Sequence, residues 1–144
     1  MGTFDVKASN LMEAFDHFSV YIDGKSSHEA QPHEGADALV AGAQFVNAVQ
    51  TIVSRNTDPQ KSAVITIGRF DAGIRYNIVP GECHMDGTCR TFDTDVRAMV
   101  QNRMNVVFQG VCVACGCTGE LTYDKGCCAI RNDAAMADYL RHTV

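Results

Sequence analysis

The apolar positions change period several times along the chain, and each change marks an element. From Phe15 to Lys25 they alternate, with Phe18, Val20 and Ile22 on one side and His17, Ser19, Tyr21 and Asp23 on the other. Period two predicts a half-buried strand. A polar loop with Pro32 follows, from Gly24 to Gly35. Leu39, Ala43, Val46 and Val53 then recur at helical spacing, widened by Val40, Val49 and Ile52, and predict a helix over about 35–54. Asn56, Asp58 and Pro59 stop it. Ala63 to Arg69 is rich in β-branched residues and reads as a strand. Asp71 to Pro80 is a loop. Glu82 to Phe92 alternates again, Cys83, Met85, Gly87 and Cys89 against His84, Asp86, Thr88 and Arg90. Asp93 suits the N-cap of a second helix, faced by Val96, Val100, Val107, Val111 and Ala114 and ending near Gly116. Glu120 to Lys125 is a last strand, and Asn132 is expected to cap a helix running through Met136 and Leu140 to Val144. Residues 1–14, with Gly2, Lys7, Ser9 and Asn10, carry little periodicity and read as an incoming segment.

The order β-α-β-β-α-β, with a trailing helix, predicts a ferredoxin-like α+β sandwich: a four-stranded antiparallel sheet with two helices on one face. The strand Ala63–Arg69 then lies at a sheet edge. It is apolar and poor in charge, and an uncovered edge of that kind is a liability.

Composition narrows the function classes. A chain of 144 residues suits one domain, and 46% apolar residues can supply a core. The net charge is −5 without a basic patch, which argues against nucleic acid as a partner. No apolar run approaches the roughly 20 residues of a membrane helix, and the start lacks a signal-peptide pattern. A cytoplasmic setting is the expectation. Seven cysteines, an odd count, read as free thiols. Cys112, Cys115, Cys117, Cys127 and Cys128 crowd the last third and raise one alternative, a free-standing ferredoxin-like module binding metal through these C-terminal cysteines. Against it, Cys112 and Cys115 sit on the predicted helix and Cys117 beyond its end, where free cysteine behaves as a small hydrophobe. His84-Met85-Asp86 has the letters of a metal motif, but it falls mid-strand and the chain has no Glu-Glu pair to complete a two-metal centre.

The informative stretch runs from Gly24 to Leu39, Gly-Lys-Ser-Ser-His-Glu-Ala-Gln-Pro-His-Glu-Gly-Ala-Asp-Ala-Leu, with His28 and His33 on a loop between a strand and a helix. Loops on a rigid scaffold are where functional groups concentrate. The stretch resembles the Gly-Lys-Gly-Gly-His-Ala-Ala-x-Pro-His-x-Gly-x-Asp-Pro signature of the aminoacylase and carboxypeptidase metallopeptidase family, in the branch of hippurate hydrolases, N-acyl-amino-acid amidohydrolases and indole-acetyl-amino-acid hydrolases. Leu11 to Phe18 resembles that family's entry segment, Leu39 to Arg55 its first lid helix, Tyr76-Asn77-Ile78-Val79-Pro80 its Asn-Val-Ile-Pro loop, and Gly87-Thr88-Cys89-Arg90-Thr91-Phe92-Asp93 its Gly-Thr-x-Arg-Thr-Phe-Asp run.

The resemblance implies a lid and dimerisation domain over 15–128. It makes 1–14 the link in from a catalytic domain and 129–144 the start of a helix returning to it. It implies a homodimer through strand 63–69 and the first helix, and small-molecule amide substrates, N-acyl amino acids or small peptides. His28 would stabilise an oxyanion in the partner's site. Asn77 would help hold the scissile amide or its oxyanion, and Arg90 would receive a substrate carboxylate. This stretch itself would bind no metal; two divalent metals (zinc, manganese or cobalt) would belong to the catalytic domain. Three positions depart from the signature. Ser26 and Ser27 stand for two glycines and should tighten the loop. Glu29 puts a carboxylate within reach of His28, able to hold the ring in another orientation. Ala38 replaces a frequent proline. His33 is read as packing the loop against the helix or at a dimer contact.

Overall fold

In the computed structural model residues 5–143 are described. Gly2 and Val144, placed above in the incoming segment and at the end of the last helix, lie outside them. The elements in order are β1 (Ser9–Met12), β2 (Ala14–Asp23), β3 (Ser27–His28), α1 (Ala38–Thr51), β4 (Ala63–Ala72), β5 (Ile78–Val79), β6 (Glu82–Thr91), α2 (Thr94–Cys115), β7 (Thr118–Lys125), β8 (Ile130–Asn132) and α3 (Ala134–Thr143). The main sheet has the order β4-β6-β2-β7, antiparallel throughout. Helices α1 and α2 cover one face, and the other is open. This is the ferredoxin-like α+β sandwich that the alternating patterns predict.

The alternation decides which face is covered. Phe18, Val20, Ile22, Cys83 and Met85 are fully buried beneath the helices. Their neighbours His17, Tyr21 and His84 lie on the open side. Asp37 caps α1 by accepting from the Leu39 and Val40 N–H groups, and Asp93 caps α2 from Asp95 and Val96. Gly116 ends α2 at φ 66°.

The structure corrects several readings. The inward face of α1 is Ala38, Ala41, Phe45 and Val49, continued by Ile52 in the π-helical turn that follows, while Leu39 and Ala43 are exposed. Phe45 sets that rotation, packing edge-on against Phe108 of α2 with ring centroids 6.1 Å apart. On α2 the deep positions include Met104 and Phe108, and Ala114 is exposed. β1 and β8 pair as a separate antiparallel ribbon, so the incoming segment carries a strand after all. Asn132 belongs to β8, where its amide donates to the Lys7 carbonyl at 2.9 Å. The cap of α3 is Asp133, whose carboxylate accepts the Met136 N–H at 3.0 Å.

One charged residue sits in the core layer. Asp16 is 1% exposed. It accepts from the Arg97 guanidinium, from the Tyr123 hydroxyl at 2.9 Å and from the Gly126 N–H at 3.1 Å. Burial opposes its charge, but these partners outweigh burial and hold its carboxyl below the usual carboxylate range. Burial also pushes the Tyr123 hydroxyl up, so it stays a neutral donor.

Candidate functional site

The histidine loop is sewn to the rest of the fold at both ends. Lys25 and Ala36 exchange backbone hydrogen bonds of 2.8 and 2.9 Å. The Gly24 N–H donates to the Gly81 carbonyl at 2.8 Å, and the Ala38 N–H to the Pro80 carbonyl at 2.9 Å. Between these ties, β3 and β5 form a short ladder with Ser27 opposite Val79 and His28 opposite Ile78. The Glu29 N–H donates to the Asn77 carbonyl at 3.3 Å. His28, at the end of β3, and Asn77, in the turn just before β5, are therefore brought close although far apart in sequence. Ser27 turns its hydroxyl inward against Gly35, buried without a hydrogen-bond partner among the described residues. A Cβ at Gly35 would come within 2.7 Å of that oxygen, so the serine is accommodated by the missing side chain across the loop.

The His28 ring stands out from this ladder, with 59% of its side chain exposed. The Ala30 N–H donates to its Nδ1 at 3.2 Å. An Nδ1 that accepts leaves the proton on Nε2, which has no hydrogen-bond partner among the described residues. Glu29 Oε2 lies 3.3 Å from the same Nδ1. The carboxylate that departs from the signature is thus in direct contact with the ring. Asn77 is half-buried, and its side-chain amide has no hydrogen bond among the described residues. His33 is exposed in a 3-10 turn over Pro32–Glu34, so within this chain it does not pack the loop against the helix.

Arg90 is elsewhere. It lies near the far end of β6, opposite Phe15 of β2 and Val64 of β4. At about 3.4 Å per residue it is roughly 27 Å along the strand from Glu82, where the His28–Asn77 ladder joins. Its guanidinium carbon sits 4.6 Å from the centroid of the Phe15 ring. Among the described residues it has neither an ion pair nor a hydrogen bond. A cleft of about 510 Å³ beside the His28 ladder is lined by the carboxylates of Asp23, Asp71 and Glu82 and by Ile74, Ile78 and Pro80. The sequence reading missed this acidic wall, because its members come from three separate strand ends.

On the open face, Asp86 is already engaged. Ser19 donates to it at 2.7 Å, with Arg69 at 3.5 Å and the His17 and His84 rings at 3.6 and 3.9 Å. Cys112 and Cys117 are buried, and burial raises both thiols above the ordinary range, which favours protonated side chains over thiolate ligands. Among the described residues no three His, Cys, Asp or Glu side chains are placed to share a metal ion. The residues present do not fit the metal pair implied by the resemblance, nor the cysteine-bound metal of the alternative reading. No helix among the described residues is long and apolar enough to cross a membrane.

Comparison with known proteins identifies the family. Residues 15–113 match the peptidase dimerisation domain of the M20 family. The chain is 37% identical over 141 residues to an N-acetyl-L-cysteine deacetylase of Bacillus subtilis (strain 168), covering 98% of this chain and 34% of that protein. A solved chain from methicillin-resistant Staphylococcus aureus superposes with a TM-score of 0.90 at 29% identity, over 96% of this chain and 37% of that one. A dinuclear metal-binding peptidase of the M20 family from Bacillus subtilis superposes with a TM-score of 0.73 at 26% identity, over 95% and 33% respectively. The chain thus spans about a third of the length of the relatives it matches. With a family match over residues 15–113 and a relative 37% identical along almost the whole chain, the chain belongs to the M20 family of hydrolases as its peptidase dimerisation domain.

Proposed function

We propose that this domain, over 15–128, is the active-site lid and homodimer contact of a two-metal amidohydrolase that cleaves N-acyl amino acids or small peptides. In this reading 1–14 lead in from a catalytic domain and 129–144 return to it. The metals, zinc, manganese or cobalt, belong to that domain, and this chain alone hydrolyses nothing. His28 donates from Nε2 to the oxyanion in the partner's site, Asn77 holds the amide beside it, and Arg90 receives the substrate carboxylate.

The observation that carries this reading is the separation of Arg90 from the His28–Asn77 ladder. Within one chain they stand at opposite ends of the sheet and cannot share a small substrate. β4 is an edge strand that begins beside Arg90 (Val64 opposite Arg90) and ends beside Cys83, next to the ladder. Antiparallel pairing of two β4 edges about a two-fold axis lays the start of one against the end of the other. One protomer's Arg90 then lies at the same end of the joined sheet as its partner's His28 and Asn77. A substrate with a scissile amide and a free carboxylate matches that combination.

The test uses the intact hydrolase carrying this domain. His28→Ala should lower kcat by roughly 100-fold, the loss of one oxyanion donor, with the dimer intact by sedimentation. Mixing that variant with one inactivated in the catalytic domain should restore activity through hybrid dimers. Near-normal turnover in His28→Ala, or no recovery on mixing, would count against the assignment.

A further inference from the structure

We infer that Phe15 is a positioning residue for Arg90: its ring holds the guanidinium flat and outward so that both edges face an incoming carboxylate. The inference rests on the reading of Arg90 given above and adds a residue that no motif singled out.

Three observations carry it. First, Arg90 has no anionic partner among the described residues, although the chain is acidic overall. Arg69 is paired with Asp71 and Asp86, and Arg97 with Asp16, whereas Arg55, Arg75, Arg103, Arg131 and Arg141 also lack a carboxylate partner among the described residues; what sets Arg90 apart is the aromatic ring beneath it. A guanidinium left unpaired on an acidic domain keeps its full donor set for a ligand. Second, it is held all the same. Phe15 lies directly across the ladder, and the guanidinium carbon is 4.6 Å over the ring centroid. A contact through the ring face holds the guanidinium without engaging its N–H groups, which an ion pair with a protein carboxylate would not do. Third, the ring itself is clamped. The Phe15 N–H donates to the Cys127 carbonyl at 3.0 Å. A Cβ on Gly126 would fall 2.8 Å from the Phe15 ring and 2.4 Å from its carbonyl oxygen, so this turn closes on Phe15 only because residue 126 has no side chain. The Gly126 N–H is anchored in turn to Asp16 at 3.1 Å. The chain of support therefore runs from the buried Asp16 through Gly126 and Phe15 to the exposed fork.

The test is kinetic, on the intact hydrolase, with N-acetyl-L-cysteine as the carboxylate probe and its carboxamide as the probe that lacks the charge. Phe15→Leu keeps an apolar strand residue but removes the π face. It should raise KM for the carboxylate probe by about two- to five-fold, the effect of one exposed cation–π contact, with kcat held, since binding is lost equally in ground and transition states. KM for the carboxamide should not move. Phe15→Tyr should restore the wild-type KM. Arg90→Ala should raise KM for the carboxylate probe by more than about ten-fold. If Arg90→Ala does so and Phe15→Leu does not, the positioning role is overturned while the reading of Arg90 stands. If Arg90→Ala changes neither probe, both fall. If Phe15→Leu affects the two probes alike, the residue is merely structural and the inference is wrong.

Discussion

Removing the Asp16 carboxylate tests whether the buried network holds the sheet to the turn beyond β7. In Asp16→Ala the Arg97 guanidinium, whose side chain is only 15% exposed, loses its counter-charge. The Tyr123 hydroxyl and the Gly126 N–H lose an acceptor in the same step. Breaking a buried pair from one side costs about 3–5 kcal/mol. Arg97 keeps the Gly126 and Cys127 carbonyls at 3.3 and 3.5 Å, so the lower end, about 3 kcal/mol, is expected. For a domain of this size that lowers Tm by roughly 6–12 °C. Asp16→Asn supplies the pH arm. Arg97, Tyr123 and Gly126 hold the folded carboxyl below its ordinary value against the opposing effect of burial. The stability it contributes is therefore fully present above the unfolded value, about 3.9, and is lost as pH falls through the folded value. Urea unfolding followed by circular dichroism should show Asp16→Asn clearly weaker at pH 7, with the gap to wild type closing below about pH 4. A gap that stays constant between pH 7 and pH 3, or no gap at neutral pH, would refute the assignment of this stability to a charged Asp16.

Two further outcomes can be checked directly. In thiol titration of the native chain, the exposed Cys127 and Cys128 should react first, while Cys83 and Cys89, whose thiols burial pushes up to about 11, should react only on unfolding; mass mapping of the labelled sites reads the order. Placing a charge on the exposed apolar side of α1, as in Val40→Glu (45% exposed), should weaken the proposed dimer by at least about ten-fold in sedimentation while leaving Tm within a few degrees. A dimer unchanged by that substitution would remove α1 from the contact.

Local patterns made the sheet legible. Strands β2 and β6 alternate cleanly because each is covered on one face only, so period two survives in the letters. The face of α1 was misread because Leu39, Val40 and Ala43 are as apolar as the residues that pack inward. Only the meeting of Phe45 with Phe108, across the fold, chooses between them. The β1–β8 ribbon and the β3–β5 ladder were not legible, since short strands carry almost no periodic signal and their partners are remote in sequence. Asp16 is the sharpest case. It occupies an inward position of an alternating strand, and nothing nearby announces that Arg97, 81 residues away, meets it there. For the site, the motifs pointed to His28 and Asn77, and the fold brings the two loops that carry them together. That Arg90 stands at the other end of the sheet follows only from the registers of β2, β4 and β6.

The ribbon has a mechanical consequence. Ser9 pairs with Asn132 and Met12 with Ile130, so the chain enters and leaves through two adjacent, opposed rails. A force applied to those rails loads their hydrogen bonds one after another, as in opening a zipper, and β1–β8 should part at low tension. The next pair in line is β2 with β7, again antiparallel and loaded from the same end. Standing at its mouth is Asp16, bonded to the Gly126 N–H on the opposite rail and through Arg97 to the Gly126 and Cys127 carbonyls. The buried carboxylate is thus the latch of the zipper: tension that opens the ribbon stops there, and the sheet behind it is spared.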